Sequence, residues 1–244
     1  MVFATKGLVL HVIPFQETSI ITKILTPELG LQSFIVKGAR QSSNSKSKKH
    51  IYFQHGSLLQ IEFNYNSLRN IQYLSNIQWH YIYQNLFNNV VKSAVLIYMV
   101  EVLNKVIFQP EPNPLFFEFL ENFITDLDNQ PSKYIGHIPI IFLLKLAHQL
   151  GISLPLNKEL NNPHLHLNEM QYSYDFQDSQ SIIPSHLANY LNMYLKPYNL
   201  NDQEFKQIVR KDRQELLQYL HHFYFLQGKP LNNLKSVPII QEIL

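Results

Sequence analysis

Up to about residue 80, short apolar runs rich in Val, Ile and Phe are cut by turn residues, the pattern of consecutive β-strands. Leu8 to Ile13 is apolar except at His11, as a strand buried on both faces would be. Ile20 to Leu25 reads as a second strand, and Pro27-Glu28-Leu29-Gly30 as the turn after it, with Gly30 supplying a positive φ. Leu31 to Lys37 is the third. Leu59, Ile61 and Phe63 alternate with Gln60 and Glu62, a period of two that gives the fourth strand one dry and one wet face. Ile71 to Ile77 makes a fifth. Five short strands with no helical period between them predict a small closed or nearly closed barrel of OB type.

From about Tyr83 the period becomes helical. Phe87, Val90, Val91, Ala94, Tyr98, Val102 and Val106 fall three or four apart, which predicts one long amphipathic helix. Pro110, Pro112 and Pro114 end it, because proline lacks a donor and restricts the residue before it. Leu115 to Leu127 and Ile138 to Leu150 read as two more helices, the second closed by Gly151 at the C′ position. Residues 152–181 are polar and irregular, with room for a short strand or two. Helical patterns resume at Ser185 to Leu195 and at Asp202 to Leu220, and Gly228-Lys229-Pro230 precedes a short terminal segment. The expected class is α+β, an N-terminal five-stranded OB-like β-barrel over residues 1–80 followed by a larger all-helical domain over 81–244, with an irregular insertion at about 152–181.

Composition narrows the chemistry. The absence of cysteine removes disulfides and thiolate zinc sites and points towards a reducing compartment. Met1 to Leu10 lacks the apolar core of a secretory signal, and the best candidate for a membrane helix, Ile138 to Leu144, stops at Lys145, so a cytoplasmic protein without membrane contact is expected. The net charge of +2 is unevenly spread. Residues 1–80 hold eight Lys or Arg against three acids, a balance of +5, and the remainder comes to −3. That asymmetry suits a first part that meets a polyanion and a second that meets protein.

Between the third and fourth strands runs Lys37-Gly38-Ala39-Arg40-Gln41-Ser42-Ser43-Asn44-Ser45-Lys46-Ser47-Lys48-Lys49, with five positive charges and no acid. Lysines among Ser and Asn neutralise phosphates without reading base identity, and Arg69, just before the fifth strand, adds to the same face. The bland alternative is a solvated loop that binds nothing specific. Placed on an OB-like barrel, a fold that tracks single strands along a positive groove, the nucleic-acid reading rises above it. The expected interface is therefore Lys37, Arg40, Lys46, Lys48, Lys49 and Arg69. Tyr52 and Phe53 follow the loop as candidates for base stacking, but core packing is favoured for them.

Other patterns are weaker. His164 and His166 alternate by two, so a strand points both to one side, where His186 or Asp175 would complete a metal site; surface loop histidines are the favoured reading. His221 and His222 diverge by about 100° on a helix and cannot chelate together, which leaves them as helix-end residues. With only seven glycines there is no Gly-rich phosphate cradle, and no nucleophile turn is marked, so neither a catalytic residue nor a cofactor is expected. Lys206, Arg210 and Arg213 fall on one face of the helix from Asp202, beside Lys211, as a candidate receiver for an acidic peptide, with Glu204 and Glu215 as local partners in the alternative reading.

Gly7-Leu8-Val9-Leu10, Glu17-Thr18-Ser19-Ile20-Ile21, Thr26-Pro27-Glu28-Leu29-Gly30-Leu31 and Phe34-Ile35-Val36-Lys37-Gly38-Ala39-Arg40 together resemble the N-terminal barrel of the RecO family of bacterial recombination mediators. The helical remainder matches in length and layout, with Leu146 to Leu154 falling at that family's "LG" helix end. The resemblance implies a non-enzymatic protein of DNA repair. It would bind single- and double-stranded DNA, anneal complementary strands and associate with the nucleoid. It would also work with RecR and the acidic C-terminal tail of the single-stranded DNA-binding protein to load the recombinase. Many members carry a four-cysteine zinc site after the "LG" helix end; a chain without cysteine lacks it, and the corresponding region is about Pro155 to Ile183. The rival reading is a protein-interaction adaptor whose barrel is structural, and a metal-dependent hydrolase built on His164 and His166 is a third.

Overall fold

The computed structural model describes residues 2–40, 49–107, 111–157, 163–175, 179–195 and 208–244. The chain divides into two compact units, Met1–Gln130 and Pro131–Leu244.

In the first unit β1 (Val2–Phe15), β2 (Ser19–Thr26), β3 (Gly30–Val36), β4 (Leu58–Asn64) and β5 (Ile71–Trp79) close a barrel in the order β1-β2-β3-β5-β4, with β4 returning to β1. All pairs are antiparallel except β3 with β5, where Ser33 faces Ile71 and Ile35 faces Tyr73 in parallel register. Val9, Ile24, Phe34, Leu59, Ile61 and Phe63 fill the interior. The alternation expected in β4 is present, with Leu59, Ile61 and Phe63 buried. Burial of β1 on both faces holds only for Leu8 to Leu10; beyond a register shift between Val9 and His11, His11 and Ile13 turn out to solvent. Gly30 takes φ +63, and a Cβ there would lie 2.5 Å from the Glu111 carbonyl oxygen, so both the turn and the close passage of the chain require glycine.

Two helices belong to the same unit, α1 (Val90–Val106) and α2 (Pro114–Asn129). The expected helical start at Tyr83 is corrected to Val90. Asp128, fully buried on α2, accepts the backbone N–H groups of Gln84, Asn85 and Leu86 at 2.7 to 2.9 Å, which holds that segment irregular. Asn89 then caps α1 by accepting from the Val91 and Lys92 N–H groups. As a result the first residues of the apolar stripe, Val90 and Val91, are exposed. Pro110 lies outside the described residues, and Pro114 opens α2 at its first turn rather than only closing the segment before it.

The second unit packs α3 (Ile138–Gln149), α4 (Ser185–Leu195), α5 (Arg210–Leu226) and α6 (Val237–Ile243) with three short strands, β6 (His164–His166), β7 (Gln171–Ser173) and β8 (Ile182–Ile183). The helices answer the expectation, and the small sheet β7-β6-β8 organises the insertion read as irregular. Leu165, Leu167, Ile182 and Ile183 are buried there, an apolar seam in a stretch that reads as polar. Gly151, at φ +71, ends α3 in a Schellman arrangement: the Ile152 N–H donates to the Ala147 carbonyl and the Gly151 N–H to that of His148. Helix α5 starts at Arg210 rather than Asp202 and runs on past Leu220, because Phe223 and Tyr224 continue its buried stripe. Residues 202–207 lie outside the described residues.

Candidate nucleic-acid interface

The parallel pairing of β3 and β5 brings together residues far apart in sequence. Lys37 follows the end of β3, Arg69 precedes the start of β5, and Tyr73 points outward from β5 because its neighbour Gln72 points in. The Lys37 Nζ lies 5.2 Å and the Arg69 Cζ 5.8 Å from the centroid of the Tyr73 ring. Two cations beside one ring are held by attraction to its π-electrons, and Tyr73 keeps 44% of its surface exposed. Arg40 is anchored at the backbone, its N–H donating to the Thr18 carbonyl at 2.8 Å, and its side chain is exposed. Lys49 opens the short 3-10 turn Lys49–Tyr52 that leads back towards β4. Lys46 and Lys48 lie outside the described residues. Phe53 is buried in the barrel core, and Tyr52 packs on Trp79 with ring centroids 4.8 Å apart, so both take the core role favoured for them.

The arginines of α5 are engaged within their own unit instead. Arg210 donates from Nη2 to the Gln241 carbonyl at 3.0 Å and to Glu242 at 2.8 Å. Arg213 donates from Nη2 to the Leu244 carbonyl at 2.7 Å and from Nη1 to that of Ile208. Both arginines thus clasp the terminal helix α6 together with Leu244, while Lys211 makes a long pair with Glu215, and Lys206 lies outside the described residues. Arg213 also borders a cavity of about 430 Å³ whose wall includes Lys133 and His137. His164 and His166 do share one side of β6, but their nitrogens are engaged. His164 Nδ1 accepts the Ser185 N–H at 3.1 Å, and His166 sits between Glu169 at 3.2 Å and the Asp175 carbonyl at 2.9 Å. Among the described residues no trio of His, Asp or Glu side chains is placed to hold a metal.

Residues 1–83 match the family described as Recombination protein O N terminal, and residues 87–236 match Recombination protein O C terminal. The DNA repair protein RecO of Flavobacterium johnsoniae is 30% identical over 243 residues, covering 100% of this chain and 99% of that protein. The chain belongs to the RecO family. The DNA repair protein RecO of Flavobacterium psychrophilum is 27% identical, and that of Azobacteroides pseudotrichonymphae 22%, each again over 100% of this chain and 99% of the relative. RecO proteins are recombination mediators of DNA repair, and this chain is a DNA repair protein of that family. No described helix is long and apolar enough to cross a membrane.

This RecO chain does not fit a zinc site of the cysteine type, since it has no thiolate to offer. Sequence reasoning missed Tyr73. The period of β5 marks it as outward, but only the parallel register of Ile35 with Tyr73 shows that Lys37 and Arg69 converge on it. It also missed the Asp128 knot and the buried Lys92, whose Nζ donates to the Asp128 carbonyl at 2.6 Å.

Proposed function

We propose that the barrel binds DNA through its phosphates and promotes the annealing of complementary strands. Lys37, Arg40, Lys46, Lys48, Lys49 and Arg69 supply the neutralising charge, and Tyr73 supplies a ring on which a base stacks. The observation that carries the reading is the meeting of Lys37 and Arg69 on the half-exposed Tyr73. A surface of two cations and one half-exposed aromatic residue suits a polyanion that carries flat rings. Neutralising phosphates lowers the repulsion between two strands, so annealing needs no nucleotide. In this role the chain acts with RecR and with the acidic tail of the single-stranded DNA-binding protein to load the recombinase on coated single strands, in the bacterial cytoplasm at the nucleoid. Lys206, Arg210 and Arg213 are the proposed receiver for that tail, and Lys133 lines the same cavity as Arg213.

The test is the annealing of two complementary oligonucleotides carrying a donor and an acceptor dye, with no nucleotide present. The full chain is expected to speed annealing, and the Lys37→Ala, Arg69→Ala double variant to lose most of that gain while keeping RecR binding. If the full chain leaves the annealing rate unchanged and binds no DNA at low salt, yet still binds RecR, the adaptor reading replaces this one.

A further inference from the structure

Phosphate neutralisation leaves one feature of the β4–β5 loop unused. Leu68 stands at its tip with 92% of its surface exposed, the largest value for any big apolar side chain among the described residues. An isolated surface leucine is ordinary. This one is held in place. The turn Asn66 to Arg69 is closed by the Arg69 N–H donating to the Asn66 carbonyl at 3.1 Å, and the Asn66 Oδ1 accepts the Leu68 N–H at 2.9 Å. From inside, the Gln72 side chain accepts the Asn66 N–H at 3.1 Å and donates to the carbonyls of Asn66 and Arg69 at 2.9 Å each. Gln72 is only 2% exposed, so a buried amide is committed entirely to the shape of a surface turn. The one apolar side chain which that turn presents is Leu68.

The neighbours say what meets it. Arg69 is the next residue, with its guanidinium beside Tyr73, and Lys37 shares the same ring. We infer that Leu68 is a wedge that inserts between adjacent bases of a bound strand, an inference that rests on the DNA-binding reading above. With phosphates held by Lys37 and Arg69 and one base stacked on Tyr73, the isobutyl group enters the next step and parts the bases, as aliphatic side chains do in proteins that kink DNA. Insertion of an aliphatic group makes no hydrogen bond, so it works at any sequence. A strand whose bases are held apart presents its pairing edges to a complement, which couples the wedge to annealing. An apolar pocket on a protein partner would also accept an exposed leucine; the two cations and the half-exposed ring favour nucleic acid.

The experiment uses the full chain and a single-stranded oligonucleotide carrying 2-aminopurine, which brightens when it unstacks, with anisotropy of a separate end label reporting binding. Wild type is expected to raise the 2-aminopurine signal several-fold at saturation. Leu68→Ala, compared at saturation, is expected to keep the salt dependence of binding but to lose most of that rise, and Leu68→Met to keep it. If wild type binds without a rise, or Leu68→Ala keeps the full rise, the wedge is overturned while DNA binding stands. If wild type does not bind the oligonucleotide at low salt, the DNA-binding reading itself fails, and the wedge with it.

Discussion

Tyr73 and Asp128 carry different burdens at the residue scale. Tyr73 is half-exposed beside Lys37 and Arg69, and stacking of one base on an aromatic contributes about 1–3 kcal/mol. Tyr73→Ala should therefore weaken single-strand binding by roughly that amount with little change in salt dependence, and Tyr73→Phe should restore it; equal losses in both variants would show that the hydroxyl rather than the ring makes the contact. Asp128 serves the fold. Burial alone would raise its pKa, but the N–H groups of Gln84, Asn85 and Leu86 and the nearby Lys92 outweigh that and hold the carboxyl below its ordinary value. A carboxylate with a lowered folded-state pKa contributes stability that is complete above its unfolded value and is lost as pH falls through the folded one. Asp128→Ala leaves three backbone donors unmatched and removes the carboxylate charge beside the buried Lys92, whose bond to the residue-128 carbonyl remains, and should cost about 3–5 kcal/mol in urea denaturation at neutral pH. A loss under 1 kcal/mol, on the order of an exposed pair, would mean the segment from Gln84 to Leu86 is held by something else.

At the scale of elements, the turn Ser132–His137 buries one histidine and helix α5 half-buries another, and both are held towards the neutral form. His137 is pushed down to about 4, first by burial and then by the Arg213 charge, with its Nδ1 2.6 Å from the Tyr194 hydroxyl oxygen. His221 is pushed down to about 4 by burial. The unfolded chain takes up these protons near the ordinary value of 6.5, so their contribution is intact above about pH 6.5 and is lost as pH falls towards 4. Denaturation midpoints should fall through that window, and His221→Gln should make the fall shallower by up to about 1.4 kcal/mol per pH unit. An unchanged slope would show that His221 protonates as easily in the fold as outside it.

Legibility in the sequence varied by element. Strands β2 to β5 were readable because a period of two and a turn residue are local signals. The first half of β1 was not, because Thr5, Lys6 and Gly7 hide the alternation, although they pair with Ile61, Gln60 and Leu59 of β4. The stretch from Tyr83 to Asn89 imitates a helix by spacing, and the residue that overrides it is Asp128, more than forty positions away. The candidate interface was half readable for the same reason. Lys37 and Arg69 stand out as charges in a basic stretch, while the ring that gathers them depends on a parallel strand pairing that no local pattern reveals.

At the scale of the whole molecule, the first unit extends to Gln130 because the barrel is tied to both helices. Glu121 of α2 bonds Lys6 and His80, Asn104 of α1 donates to the Leu10 carbonyl at 2.8 Å, and a Cβ on Gly56 would collide with Leu96 of α1. A fragment of residues 1–130 should unfold cooperatively and bind DNA, whereas one of residues 1–80 should show poorly dispersed amide resonances; a well-folded 1–80 fragment would contradict that dependence. The most direct measurement of the central claim is fluorescence anisotropy of a labelled single-stranded oligonucleotide over a salt series, with the full chain and its Lys37→Ala, Arg69→Ala double variant. If the barrel neutralises about four to five phosphates, the log-log slope lies near −3 for wild type and is shallower by roughly 1.4 in the variant. A wild-type chain that does not bind even at low salt, or a variant whose slope equals that of wild type, would contradict the claim that these residues form the DNA interface.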